Sequence, residues 1–255
     1  MNVKGVLLDL DGVLYKGDDL IPGSPGAVRY LKERGYILRF VSNTTRKSRE
    51  TIESRLLAFG FEIRKDEIFT PSVAAINYIQ GTGLMRCHLL TTRDLHAEFE
   101  AAGLLQQDTG TDWVIVGDAG DNFNYETMNL AFRLVQQGAG LIALEKDRYW
   151  MGSDGLMLSA GPFVRGIEYA TGKTAVLVGK PSPGFFGMAL RDMGLTPADA
   201  VMIGDDVVTD TGGAIKAGMQ GILVKTGKFS NEALAGADPG PTRVIGSIAE
   251  IDTIL

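Results

Sequence analysis

The sequence predicts an α/β protein: a doubly wound parallel sheet with a second α/β domain inserted in its middle. Three observations predict it. Apolar β-type segments alternate with helical ones along all 255 residues, the pattern of repeated βαβ units. The segments VKGVLLD, YILRFV, AVMI and GILV are nearly continuous apolar runs, as strands buried on both faces are. Polar residues follow several of these runs directly, which suits the carboxyl edge of a parallel sheet, where α/β proteins bind ligands.

The first strand runs from Val3 to Asp9 and is followed by Leu10-Asp11-Gly12. Two carboxylates at i and i+2 past a buried strand are costly unless a cation neutralises them. They point the same way if the strand continues, and Mg²⁺ is the economical explanation. The stretch VLYKGDDLIPGSPG is too broken for a long helix and reads as a flap. Ser24-Pro25 opens a helix to about Gly35, with Ser24 as N-cap and Pro25 at the first helical position. Tyr36–Val41 is the second strand and ends in Ser42-Asn43-Thr44-Thr45. A helix over Arg46–Phe59 carries Ile52, Leu56 and Phe59 on one stripe, and Thr70-Pro71 starts another through Tyr78.

Gly81-Thr82-Gly83 marks a boundary, and a second βα series follows. Its strands are Cys87–Leu90, Trp113–Val116 and Leu141–Leu144. Its helices are Leu95–Ala102, Asn124–Gln137 and Pro162–Tyr169. The second of these helices carries an apolar stripe of Met128, Ala131, Phe132 and Val135. Tyr149–Leu158 reads as a hairpin around Ser153-Asp154-Gly155. The first pattern then resumes. Ala175–Val178 is read as a buried strand ending in Gly179-Lys180-Pro181, and Pro183–Met193 as a helix. Ala200–Ile203 ends in Gly204-Asp205-Asp206. Asp210–Ala217 is a helix, and Gly221–Val224 and Val244-Ile245 are strands.

Bulk properties exclude several classes. The length suits one large domain or two modest ones. A net charge of −6 is not the basic surface that nucleic acid or an anionic membrane demands, so neither is expected as a partner. Cys87 is the single cysteine, which rules out an internal disulfide and fits a reducing compartment. Met1 leads straight into the first strand without signal-peptide regions. No apolar run approaches the roughly 20 residues of a membrane helix. The expectation is a cytoplasmic protein.

If these strands share one sheet, polar groups gather at four strand ends: Asp9 and Asp11; Ser42, Asn43 and Thr44; Lys180; Asp205 and Asp206. That set suits phosphoryl chemistry. An Asp carboxylate can attack phosphorus, and carboxylates can hold Mg²⁺. Ser42 or Thr44 hydroxyls, with backbone N–H groups at a helix start, can bind phosphate oxygens. Lys180 offers positive charge to the transition state. A second carboxylic acid can protonate the leaving oxygen and then activate water.

The stretches DLDGVLYKG at Asp9–Gly17, SNTT at Ser42–Thr45, GKP at Gly179–Pro181 and GDDVVTD at Gly204–Asp210 resemble, in order, the four motifs of the haloacid dehalogenase (HAD) superfamily. The best resemblance is to its NagD-like branch, which includes p-nitrophenyl-phosphate phosphatases. RYWMGSDGLMLSAGPFVRGIEYATG, AVMIGDD and GILVKTGK are similar to members of the same branch. The resemblance implies a Rossmann-like HAD core and a Mg²⁺-dependent phosphatase acting through an aspartyl-phosphate. It implies Asp9 as nucleophile and metal ligand, and Asp11 as general acid/base that also gives the metal its main-chain carbonyl. Ser42 and Asn43 would bind the phosphoryl group beside Lys180. Asp205 would ligate Mg²⁺, supported by Asp206 and Asp210. The gap from Asp11 to Ser42 holds only a flap and one helix, whereas Thr44 to Lys180 spans far more than one βα unit. The insert therefore falls between the second and third motifs: a cap at 81–174, with the core at 1–80 and 175–255. Members of the branch often pair through their caps, so a homodimer is a further expectation, with a small phosphorylated substrate as the main partner.

Plainer readings compete. Asp-x-Asp alone is more often a capping turn than a metal site. Ser42-Asn43-Thr44 alone is a helix cap, Gly204–Asp206 an acidic turn, and Lys180 a solvated side chain. None of these explains why each group follows a buried strand. His88, His96 and Cys87 read as structural, and Gly117-Asp118 as a strand-to-loop turn. Tyr149 and Trp150 read equally as core aromatics or as substrate-facing residues. A dehalogenase would lack Asp11, and a receiver-type phospho-acceptor domain would be about half this length. A pyrophosphatase, a phosphoamidase and a catalytically silent binder on the same fold are the remaining alternatives.

Overall fold

The computed structural model describes residues 3–152 and 154–255. The Met1 start and Ser153 of the hairpin turn lie outside the described residues. Two compact units emerge: one runs up to Ser42 and adds Ile52–Phe69 and Lys180–Leu255; the other comprises Asn43–Thr51 and Thr70–Gly179. The second unit is wider than the sequence bounds of 81–174, because it also holds the helix Pro71–Gln80 and the segment Asn43–Thr51.

The first unit is built on six parallel strands. From one edge they are Arg243–Ile245, Gln220–Val224, Ala200–Gly204, Gly5–Asp9, Ile37–Val41 and Ile68–Phe69. Counted along the chain, the order is 3-2-1-4-5-6, and it reverses between Gly5–Asp9 and Ala200–Gly204. Open α/β sheets bind ligands at such a reversal. The central strand is buried at all five positions. One sheet face packs Val6, Leu8, Phe40, Val201, Ile203 and Ile222 with Val28 and Leu31 of the helix Ser24–Glu33. Each such side chain contributes about 1.5–3 kcal/mol when fully buried.

Four local expectations are corrected. The helix Ser24–Glu33 is capped by Gly23, not Ser24. Gly23 takes φ 82°, which favours glycine, while the buried Ser24 hydroxyl donates to Leu14 O at 2.8 Å. The next helix is Arg49–Ala58 rather than 46–59, because Ser48 N and Oγ instead donate to the Asp94 carboxylate at 2.8 and 3.2 Å. Asp210 does not start an α-helix; it sits in a wide π-helical turn, Val207–Gly212, followed by a short helix Gly213–Lys216. The strand before Lys180 is only Val176–Leu177 and belongs to the other sheet. Its neighbourhood explains this: Ala175 and Leu177 pack with Val164, Ile167 and Ala131. So three predicted strand ends, not four, meet on the six-stranded sheet. Ile68–Phe69 and the helix Asn231–Ala235 are additions to the sequence reading.

The second unit has its own parallel sheet: Val176–Leu177, Gly140–Ala143, Trp113–Val116, Arg86–Leu90 and Leu105–Gln106. Counted along the chain, its order is 2-1-3-4-5, doubly wound in the flavodoxin manner. The helix Tyr125–Gln136 faces the core with Ala131, Leu134 and Val135; Leu134 takes the place predicted for Phe132, which is half-buried. Tyr149–Gly152 and Gly155–Leu158 form the expected antiparallel hairpin. Tyr149 and Trp150 are exposed on it, so neither is a core aromatic.

Candidate active site

The switch point of the six-stranded sheet puts Asp9 and Asp205 on neighbouring strand ends. Asp9 closes the central strand, and Asp205 follows Ala200–Gly204 directly. Asp210 reaches the same place from the wide turn. A Cβ on Gly204 would fall 2.3 Å from Asp210 Cβ, so glycine is needed there for Asp210 to lie over the strand end. Asp9, Asp205 and Asp210 are buried, and each offers a carboxylate oxygen within 4.8 Å of the others. Lys180, 3% exposed, donates from Nζ to Asp9 Oδ1 at 2.6 Å and to Asp210 Oδ1 at 2.5 Å.

Three carboxylates share this buried cluster with the Lys180 ammonium, and the Lys228 charge also opposes that of Asp205. The protonation equilibria respond accordingly. Burial holds the Asp9 carboxyl well above its ordinary range; Lys180 opposes this, and Asp210 and Asp205 add to it. Burial, then the charge of Asp210, pushes Asp205 up to about 7. Burial alone would lower the Lys180 ammonium, but Asp210 and Asp9 outweigh it and the net shift is upward. A divalent cation fits this site: the donors are hard oxygens, and its charge offsets theirs.

Asp205 is also clamped. Lys228 N donates to its Oδ2 at 2.6 Å. A Cβ on Gly12 or on Gly227 would fall 2.0 or 1.9 Å from that same oxygen, so two backbone segments close on it as only glycine permits. Thr226 Oγ1 ties them together by donating to Gly12 O. This Thr226–Lys228 loop is not among the residues that sequence reasoning selected. Its signal is present in GILVKTGK, another polar turn directly after a buried strand.

The other candidates are distributed as follows. Asp11 is exposed in a turn closed by Leu14 N donating to Leu10 O at 2.9 Å and Gly12 N to Tyr15 O at 2.6 Å. The strand stops at Asp9, so the two carboxylates do not share one strand face, and Asp11 lies outside the three-carboxylate cluster. Ser42 is buried one residue beyond Val41, which pairs with Asp9. Asn43 and Thr44 belong to the second unit, where Asn43 Nδ2 donates to Asp147 Oδ2 at 3.4 Å. Asp206 Oδ1 accepts from Val208 N at 2.8 Å and Thr209 N at 2.9 Å. It therefore caps the turn that carries Asp210, and its own N–H donates to Asp210 Oδ2 at 3.1 Å.

A haloacid dehalogenase-like hydrolase family model matches residues 6–105, and a HAD-hydrolase-like model matches residues 177–251. The chain is 45% identical to haloacid dehalogenase-like hydrolase domain-containing protein 2 of Mus musculus, over 89% of this chain and 86% of that one. It is 42% identical to the phospholysine phosphohistidine inorganic pyrophosphate phosphatase of Xenopus laevis, over 89% and 85%. Among solved structures it is similar to 4-nitrophenylphosphatase from Thermotoga maritima, with TM-score 0.93, 28% identity and coverage of 99% and 97%. NagD from Escherichia coli K-12 gives TM-score 0.92, 28% identity and complete coverage of both chains. Fold and site together define a hydrolase with a carboxylate-lined centre. The chain belongs to the haloacid dehalogenase superfamily, in its NagD-like branch. It is a phosphatase of that superfamily, and phosphatases of this kind use a divalent metal. Among the described residues, no helix is long and apolar enough to cross a membrane.

Proposed function

We propose that the chain hydrolyses small phosphorylated metabolites through an aspartyl-phosphate on Asp9, with Mg²⁺ as its metal. The observation that carries this reading is the buried cluster of Asp9, Asp205 and Asp210, whose carboxylate oxygens converge beside Lys180. Asp9, Asp205 and Asp210, with the Asp11 carbonyl, would hold the ion, which screens an anionic substrate from the carboxylates and polarises the phosphoryl oxygens. Lys180 fixes Asp9 Oδ1, leaving Oδ2 to attack phosphorus. The bond from phosphorus to the leaving oxygen breaks as the bond to Asp9 forms, and Asp11 supplies the proton the leaving oxygen needs. Asp11, now a carboxylate, takes a proton from water as that water attacks phosphorus. Inorganic phosphate departs and Asp9 is regenerated. Ser42, Asn43 and Thr44 would hold the non-bridging oxygens, and Lys180 balances charge that develops on them.

The insert would act as a cap that selects the leaving group, and pairing of two copies through it follows the same proposal. A second reading, hydrolysis of pyrophosphate or of a phosphoamide, is favoured by the 42% identity to a phosphatase whose name carries those substrates. The test is turnover of p-nitrophenyl phosphate with Mg²⁺ and with EDTA, followed by a panel of phosphomonoesters, pyrophosphate and phosphoamides. Mg²⁺-dependent turnover with a small phosphomonoester ranked first is expected. Turnover untouched by EDTA would overturn the metal assignment, and a phosphoamide ranked first would favour the second reading.

A further inference from the structure

The second sheet has a switch point of its own, between Arg86–Leu90 and Trp113–Val116. In a 2-1-3-4-5 sheet this crevice is where a ligand binds. Here the chain itself occupies it. Thr45, 3% exposed, accepts the Asp118 N–H on its Oγ1 at 2.8 Å. Thr92 Oγ1 donates to Arg46 O at 3.0 Å, and the Arg46 guanidinium lies 3.6 Å from Asp118 Oδ2. A Cβ on Gly117 would come within 3.1 Å of Thr45 Cβ, so the fit has no room to spare. A few residues on, Ser48 and Thr51 hold the Asp94 carboxylate, with Thr51 Oγ1 donating at 3.1 Å.

Thr45 and Arg46 directly follow Ser42-Asn43-Thr44. We infer that Thr45 is a positioning residue: the switch-point crevice of the insert holds Thr45–Arg46 in place of a ligand, and thereby sets the phosphate-binding groups. The chain rises at most about 3.3–3.6 Å per residue, so Thr44 and Asn43 lie within one and two residues' reach of the held Thr45 and their placement depends on it. The insert at 81–174 needs no substrate-touching side chain of its own for this. It needs only the Asp118 N–H and the Thr92 hydroxyl, aimed at a segment that leads into the site. Thr45 is suited to this as a small residue with one acceptor, buried where the N–H it satisfies would otherwise be orphaned.

The inference rests on the assignment of Ser42–Thr44 to phosphate. The experiment compares wild type with Thr45→Val, Thr45→Ser and Thr92→Val. It reads kcat and KM for p-nitrophenyl phosphate, inhibition by inorganic phosphate, and thermal unfolding. Wild-type turnover inhibited by phosphate checks the assignment itself; without it, both ideas fall. Given that, Thr45→Val is expected to lower kcat/KM about 10- to 100-fold and to weaken phosphate inhibition in parallel, with Thr45→Ser restoring both. A merely structural Thr45 would lower the melting temperature and the active fraction while leaving KM and the phosphate inhibition constant unchanged. That result overturns the inference. Thr92→Val removes only a donor to a backbone carbonyl and decides the matter if Thr45→Val does not fold. It too is expected to weaken phosphate inhibition, and an unchanged inhibition constant there overturns the inference as well.

Discussion

Without a metal, Asp205 should destabilise the protein at neutral and alkaline pH, and Asp205→Asn should therefore stabilise it. The magnitude follows from the site. In the folded state burial and Asp210 move this carboxyl from 3.8 to about 7. A carboxyl with a raised folded value costs nothing below pH 3.8, where both states are protonated. The cost grows as the unfolded chain ionises first and is complete near pH 7. At about 1.4 kcal/mol per pH unit, that amounts to about 4 kcal/mol. For a chain of this size it corresponds to a melting shift on the order of 10 °C. Asparagine keeps an acceptor for the Lys228 N–H and removes the charge. The assay is thermal unfolding of wild type and Asp205→Asn in EDTA from pH 4 to pH 8, repeated with Mg²⁺. In EDTA the variant should lead at pH 8 and lose its lead towards pH 4. With Mg²⁺ at about a hundred times its dissociation constant, the wild type should gain about 2.7 kcal/mol and the variant less. A variant that is no more stable than wild type in EDTA at pH 8, or whose lead does not shrink on acidification, would refute the charge argument.

Three further outcomes are expected. Asp9→Asn removes the nucleophile in a nearly isosteric change and should cut turnover of p-nitrophenyl phosphate by more than about 10³-fold while the protein stays folded; steady-state kinetics beside circular dichroism checks it. Asp11→Asn should cost about 10²- to 10⁴-fold on alkyl phosphates and less on p-nitrophenyl phosphate, whose leaving group hardly needs a proton. Equal losses on both would mean that Asp11 acts by position alone. Gly227→Ala puts a Cβ 1.9 Å from Asp205 Oδ2 and must displace that carboxylate. The Mg²⁺ concentration for half-maximal thermal stabilisation should rise about 10-fold or more, and an unchanged midpoint would show that the clamp does not bear on the metal.

Much of this was legible in the sequence because burial writes itself into composition. The strands Gly5–Asp9, Ala200–Gly204 and Gln220–Val224 are apolar on both faces, and the acidic residues Asp9 and Asp205 stand at the ends of the first two. Pairing partners were not legible. Ala175–Val178 is as apolar as a core strand, and only its packing against Val164 and Ile167 assigns it to the second sheet. Asp206 and Asp210 are chemically alike in the sequence. What separates them is the wide turn, which points Asp206 at two backbone N–H groups and Asp210 at Lys180. The hold on Thr45 was hidden for a similar reason: its partner is the N–H of Asp118, 73 residues away, and a backbone donor leaves no mark on residue identity.

The groups that face each strand end also distinguish the switch points of the two doubly wound sheets. Gly117-Asp118 repeats the Gly-Asp ending of Gly204-Asp205, so the sequence offers two acidic strand ends of the same form. At the second sheet, Asp118 meets the Arg46 guanidinium at 3.6 Å, and the nearby Asp94 carboxylate accepts from Ser48 and Thr51. The segment that brings Arg46 also fills the crevice with Thr45. At the first sheet, three carboxylates converge beside the Lys180 ammonium, and burial raises the pKa of Asp9 and Asp205. Such a convergence of hard oxygen donors suits a divalent ion. The same Gly-Asp ending thus meets a chain segment at one sheet and a carboxylate cluster suited to a divalent ion at the other.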